Sequence, residues 1–168
     1  MIKSNRNIEW RPIEEKDLPL VKEMYDYFID HTVATFHTEH LSVEELKEFI
    51  PINHPLHPAD FIVLDGEICG YCYLAPFKKR QAYNRTAEVT LYIVPKFHRQ
   101  GLGSLTLQHI EGEAKKRGLK VLMGVITGNN MESVRLFRAL GYEKCAHFKE
   151  VGEKFGKVQD VVIYQKLI

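Results

Sequence analysis

No stretch of this chain approaches the ~18 consecutive apolar residues that a membrane-crossing helix needs. The amino terminus, Met1-Ile-Lys-Ser-Asn-Arg-Asn7, lacks the apolar core of a secretory signal, so a reducing cytoplasm is the expected compartment. An excess of one charge is missing as well. A net charge of +1 over 168 residues gives no global field toward nucleic acid or an anionic membrane, and any anion site must be local. Cysteine is scarce, with only Cys69, Cys72 and Cys145. The first two spell C-x-x-C, but Ile68 to Leu74 reads as a strand, and residues three apart on a strand face opposite ways. His37 and His40, and His54 and His57, have ligand-like spacings without an evident third ligand, so no metal is expected. Internal repeats and low-complexity linkers are absent, and residues 1–168 read as one domain.

What is present alternates between two periods. Ile8 to Arg11 reads as a strand. Asp17 reads as the N-cap of a helix carrying the apolar stripe Leu18, Val21, Met24, Tyr25 and Phe28. Ser42 and Glu45 have capping-box spacing ahead of Leu46, Phe49 and Ile50. Phe61 to Leu64 and Ile68 to Leu74 read as strands joined by the turn Asp65-Gly66. Thr86 to Val94 is a further strand. Gly101 to Arg117 is a helix stopped by Gly118, with Gly103, Leu107, Ile110 and Ala114 on one face. Lys120 to Ile126 is so continuously apolar that a strand buried on both faces is expected. Met131 to Leu140 is a helix closed by Gly141, and Glu143 to Phe148 and Val161 to Leu167 are the last strands. The order βααβββαβαββ predicts an α/β (α+β) domain on a mixed sheet.

The most informative segment runs from Thr90 to Ser104, a strand, a short loop and two glycines opening a helix. Such a loop suits an anion: glycines let the backbone approach closely, and the free N–H groups of the helix end point outward. Gly101-Leu-Gly103 has neither the G-x-G-x-x-G spacing of a dinucleotide site nor the Gly-Lys-Ser/Thr of a P-loop. His98-Arg-Gln-Gly-Leu-Gly103 resembles the (Arg/Gln)-x-x-Gly-x-(Gly/Ala) acetyl-CoA motif of the GNAT acetyltransferases, with His98 in place of the usual first residue. About thirty residues on, Asn130-Met-Glu-Ser-Val-Arg-Leu-Phe-Arg-Ala-Leu-Gly-Tyr142 resembles the family's Asn-x-x-Ser-x-x-Leu-Tyr-x-x-x-Gly-Phe run, and two motifs in order outweigh either alone. The resemblance implies the GNAT fold, acetyl-CoA as cosubstrate and an N-acetyltransferase. It assigns the pyrophosphate to His98, Arg99, Gln100, Gly101, Leu102, Gly103 and Ser104. The pantetheine arm falls to Ile93, Val94, Asn130, Ser133 and Phe137. Phe137 stands where many members have a Tyr that protonates the leaving thiolate.

A narrower resemblance, to the branch of phosphinothricin and methionine sulfoximine acetyltransferases, rests on four stretches. They are Ala34-Thr-Phe36, Gly70 to Tyr83, Thr86-Ala-Glu88 and Val151-Gly-Glu-Lys-Phe-Gly-Lys-Val-Gln-Asp160, in which Val158 replaces the branch's Trp. It implies a small amine substrate, a homodimer and a role for Lys154 at the substrate. From the residues alone, Lys78 and Arg80 suit a carboxylate or phosphinate, and Phe36, Phe77 and Tyr83 suit an apolar stem. The same Lys78-Lys-Arg80 run also reads as a solvated turn. Glu88 is a costly residue for a core strand unless paired or useful. It is either a general base that takes the proton of an ammonium group or a carboxylate that is solvated or held by Arg85. Three functions remain in view. The first is transfer to an amino-acid α-amine; the second is transfer to another small amine or a protein N-terminus. The third is an acyl-CoA sensor without turnover.

Overall fold

The computed structural model describes residues 6–168. Among these residues seven strands form one sheet in the order β1-β2-β3-β4-β5-β7-β6. They are β1 (Ile8–Pro12), β2 (Ala59–Leu64), β3 (Glu67–Pro76), β4 (Thr86–Ile93), β5 (Val121–Thr127), β6 (Glu143–Lys154) and β7 (Lys157–Leu167). Every neighbouring pair is antiparallel except β4 and β5. Helices α1 (Leu18–His31) and α2 (Val43–Leu46) pack on one face, and α3 (Leu102–Lys116) and α4 (Met131–Ala139) on the other. The element order is the one that the two hydrophobic periods predict, and the sheet is mixed as expected.

The two faces divide the core by strand parity. Phe61, Val63 and Tyr71 meet Val21 and Met24 of α1. Cys72, Leu74, Ala87 and Leu122 meet Leu107, Ile110, Ala114 and Phe137 from α3 and α4. Both faces are thus closed by amphipathic helices, and burial of these side chains is the main force holding the layers together.

Several local expectations are corrected. Asp17 holds the N-cap position of α1 as expected, but its carboxylate accepts the Glu14 amide at 2.9 Å and closes the preceding short turn, and makes no capping bond to the helix. The Ser42–Glu45 capping box forms, yet α2 ends at Leu46 and the chain turns through Ile50 into Pro51. Strand β5 is buried on one face only, since Val125 is 40% exposed. Strands β6 and β7 extend into a long hairpin closed at Phe155 and Gly156, both at positive φ, the geometry of a primed turn. A bulge between Phe148 and Gly152 interrupts the hairpin's alternation, which hides this strand from a period-two reading. Asp160 pins the bulge by accepting the Glu150 amide at 2.8 Å.

A second bulge changes the reading of C-x-x-C. Ile62 pairs with Gly70 and Val63 with Ile68, so Cys69 is the extra residue. Its side chain packs with Ile62, Leu64, Phe97 and Leu102 on the α3 side, the side to which Cys72 also turns. Parity puts these cysteines on opposite faces; the bulge returns them to the same one. Burial pushes both thiols up, Cys69 to about 11, so neither is primed for redox chemistry or ligation.

Candidate active site

The site begins where the single parallel ladder stops. Strands β4 and β5 pair at Thr86/Val121, Ala87/Leu122 and Glu88/Met123. Beyond that rung β4 runs on to Ile93 and β5 to Thr127 without pairing to each other. The Val94 amide donates to the Cys69 carbonyl at 2.9 Å. Alternation along an antiparallel ladder then turns the N–H and C=O groups of Leu91 and Ile93 away from β3, into the gap. An open strand edge of this kind is a template for an extended amide-bearing arm.

At the end of β4 the chain passes a short turn at Pro95–Phe97 and enters α3. Gly101 caps the helix at φ 81°, a conformation that favours glycine. The Leu105 amide makes a bond to the Gly101 carbonyl, at 3.3 Å, which leaves the amides of Leu102, Gly103 and Ser104 directed out of the helix end. These groups and the helix dipole suit a phosphate. Gly103 serves a different need: a Cβ there would stand 3.2 Å from the Leu136 side chain, so the residue lets α3 approach α4. His98, whose backbone carries the first motif position, turns its imidazole back so that Nε2 lies 2.6 Å from the Ile93 carbonyl. Arg99 takes positive φ to make the turn.

The second motif forms α4. Asn130 caps the helix, its side-chain oxygen accepting the Ser133 amide at 3.3 Å. Phe137 is buried in the core, edge to face with Tyr142 at 4.8 Å and against Gly124, where any side chain would collide with its ring.

Glu88 lies on the last rung before β4 and β5 part. Its face carries the cross-strand pairs Tyr73/Thr90 and Tyr71/Tyr92 and looks toward α1 and α2. Among the described residues it makes neither a hydrogen bond nor an ion pair, so Arg85 does not hold it. Burial raises its pKa, and the Lys78 ammonium acts in the opposite direction.

Beside Glu88 stands a group of tyrosines that the sequence reading missed. Tyr25 from α1, Tyr71 and Tyr73 from β3 and Tyr92 from β4 cluster, with Tyr25–Tyr92 and Tyr71–Tyr92 ring separations of 5.5 and 5.4 Å. Burial raises the pKa of all four phenols. Tyr25, Tyr71 and Tyr73 line a narrow cleft with Leu46, Phe49 and Ile50. The Tyr25 hydroxyl contacts Thr35 Oγ1 at 2.6 Å and His37 Nδ1 at 2.5 Å. The available signal was the period-two pair Tyr71/Tyr73 on one arm of a hairpin.

The residues expected at the substrate fall into separate groups. Phe77 and Tyr83 meet edge to face at 5.9 Å, and the Lys78 ammonium sits 5.3 Å from the Phe77 ring. Arg80 is exposed and opens the short turn Gln81–Tyr83. Phe36 instead lies across Gly152 of β6, where a side chain would strike its ring. Lys154 is only 3% exposed and donates to the Thr35 carbonyl at 2.8 Å. It lines a different cavity with Ile29, Asp30, Thr38 and Phe155.

An α/β domain with one parallel ladder that splays open, a glycine-opened helix at its mouth and a half-buried carboxylate on its last rung defines a class. Residues 21–142 match the acetyltransferase (GNAT) family, and the chain belongs to that family and is an acetyltransferase. It is 30% identical to the phosphinothricin N-acetyltransferase of Streptomyces viridochromogenes over 99% of this chain and 91% of that one. It is 25% identical to the methionine sulfoximine/methionine sulfone acetyltransferase of Salmonella typhimurium over 90% of each chain. Among solved structures, a GNAT superfamily phosphinothricin acetyltransferase from Sinorhizobium meliloti in complex with AcCoA superposes with a TM-score of 0.89. That match has 28% identity and covers 96% of this chain and 88% of the other. No helix among the described residues is long and apolar enough to cross a membrane.

Proposed function

We propose that this chain moves the acetyl group of acetyl-CoA directly to the α-amine of a small amino acid with a tetrahedral polar end group, of the phosphinothricin or methionine sulfoximine type. The observation that carries the proposal is Glu88: an unpaired, half-buried carboxylate on the rung where β4 and β5 separate, with Lys78 close enough to oppose its desolvation.

The outward amides of Leu102, Gly103 and Ser104 hold the pyrophosphate of the donor, and the open edge of β4 at Leu91 and Ile93 holds its arm. Bound there, acetyl-CoA supplies a thioester carbonyl. An N–H of the same β4 edge stabilises the negative charge that develops on that oxygen. Glu88 accepts the ammonium proton, directly or through one water, so that the amine can attack. Lys78 and Arg80 pair with the anionic end of the amino acid, and Phe77 and Tyr83 wall its stem. Phe137 has no proton to give, and a free thiol's pKa of roughly 8.5 makes thiolate a tolerable leaving group without an acid. The homodimer and the cytoplasmic location that accompany the resemblance belong to this proposal.

Release of coenzyme A is the test, measured with purified protein over a panel of amines. Methionine sulfoximine, methionine sulfone or phosphinothricin should exceed spermidine, an arylamine and a peptide N-terminus in kcat/KM. A far better rate with spermidine or the peptide would overturn the substrate class and leave acetyl transfer standing. No turnover with any amine, despite acetyl-CoA binding, would favour the sensor.

A further inference from the structure

The segment Val33–His37 joins α1 to the α2 region and reaches the cleft through two of its lining residues. Tyr25 bonds to Thr35 and His37, and Phe49 meets the His37 ring edge to face at 5.4 Å. Outside α1 this segment is held from the other half of the sheet. The Thr127 hydroxyl, at the end of β5, donates to the Val33 carbonyl. The Lys154 ammonium, at the end of β6, donates to the Thr35 carbonyl at 2.8 Å. Gly152 provides the flat backbone on which the Phe36 ring rests.

A lysine that is 3% exposed is an uncommon residue at a hairpin end. The turn itself needs only Phe155 and Gly156 at positive φ. Burial without an ion-pair contact disfavours the charged head, and Asp30 offsets this only from a distance. An apolar residue would fill the same space without that penalty, so the ammonium has a task, and its one hydrogen-bond acceptor among the described residues is the Thr35 carbonyl.

We infer that Lys154 is a positioning residue: it fixes the Val33–His37 segment from the opposite end of the sheet and thereby sets which amines the cleft accepts. This inference rests on the proposed function, in which the amine meets Glu88, and it adds to that site the tyrosine-lined cleft on the same sheet face. Lys154 acts through Thr35 and Tyr25 and does not touch the acetyl donor.

The test compares wild type with Lys154→Met and Lys154→Arg by hydrogen exchange and by steady-state kinetics, using the best amine from the panel above. Loss of a charge-assisted hydrogen bond should speed exchange of amides within residues 33–37 about tenfold in Lys154→Met. It should raise the amine KM about tenfold, with kcat within about threefold and acetyl-CoA affinity unchanged. Lys154→Arg, which keeps a donor, should recover most of both. Unchanged exchange in this segment overturns the inference, as does a loss of acetyl-CoA affinity in step with amine affinity. Exchange is read without substrate, so it decides the strut even if the proposed amino acids prove not to be acetylated. Should Lys154→Met not fold, Lys154→Gln, with a shorter donor, reads the same quantities.

Discussion

A carboxylate on a half-buried strand face raises the energy of the folded state whenever it is ionised and unpaired. Glu88 is in that position, and its pKa is raised by burial. A raised folded-state pKa favours the protonated form, so its stabilising contribution is complete at low pH and is lost as pH rises through that value. At neutral pH the ionised carboxylate therefore works against folding. Glu88→Gln should raise the thermal midpoint at pH 7 while lowering kcat/KM by about 10²–10⁴-fold, the usual range for a general base. The acid limb of the kcat/KM profile that belongs to Glu88 should disappear with it, and the loss should shrink at high pH, where more amine is already neutral. Calorimetry and a pH–rate series check both signs. A variant that is less active and also less stable would indicate a structural role instead. The residue was legible in the sequence because a charge on a strand asks for a reason. The tyrosines around it were not, because aromatic residues from three elements look like ordinary core until the fold brings them together.

At the scale of elements, the β4–α3 junction combines two glycines with different duties. Gly101 is at φ 81°, so any side chain there strains the turn whatever space surrounds it. Gly103 is not at positive φ; its hydrogen faces Leu136 of α4, with Ile93 of β4 at the limit of contact. Gly103→Val places branched methyl groups against Leu136, which forces the end of α3 away from α4 and crowds the outward amides. Acetyl-CoA affinity should fall by about tenfold or more by calorimetry, the equivalent of ~1.4 kcal/mol, with the far-ultraviolet circular dichroism unchanged. Unchanged affinity in the folded variant would remove this helix end from the donor site. The glycine pattern itself was readable from the chain. The separation of roles was not, because one depends on a backbone angle and the other on a helix that arrives about thirty residues later.

For the molecule as a whole, acid stability should hinge in part on a histidine far from these motifs in sequence. His57 is 4% exposed, neither ring nitrogen has a hydrogen-bond partner among the described residues, and His54 stacks on it at 4.5 Å. Burial, and secondarily the neighbouring His54, lowers its pKa below the ordinary value of 6.5. For a group whose folded pKa is depressed, the stability is present above the unfolded value and declines as pH falls below about 6.5. The thermal midpoint should drop between pH 7 and pH 5, and His57→Phe should drop less over the same interval. A variant with the same slope as wild type would assign the acid sensitivity to other groups. The spacing of this pair is metal-like in the sequence; in the structure the two rings stack, His54 Nδ1 accepts the Leu56 and His57 amides, and the His57 ring has no partner among the described residues.

The sequence by itself determined the element order, the class of fold and the glycine-opened start of α3, because each is written in local signals. Hydrophobic period sets helix or strand, caps and turns set their ends, and glycines at a strand-to-helix junction set how the helix begins. Both resemblances were carried by contiguous motifs for the same reason. Only the tertiary structure decided that the parallel ladder stops at Glu88, that Cys69 turns to the α3 face, and that Lys154 grips the Thr35 carbonyl. A ladder's end depends on the divergence of two strands separated by a whole helix. A bulge reverses the parity on which face assignment rests. A hydrogen bond between residues 119 positions apart depends on the packing of the sheet. None of these has a local energy that a run of residues can record.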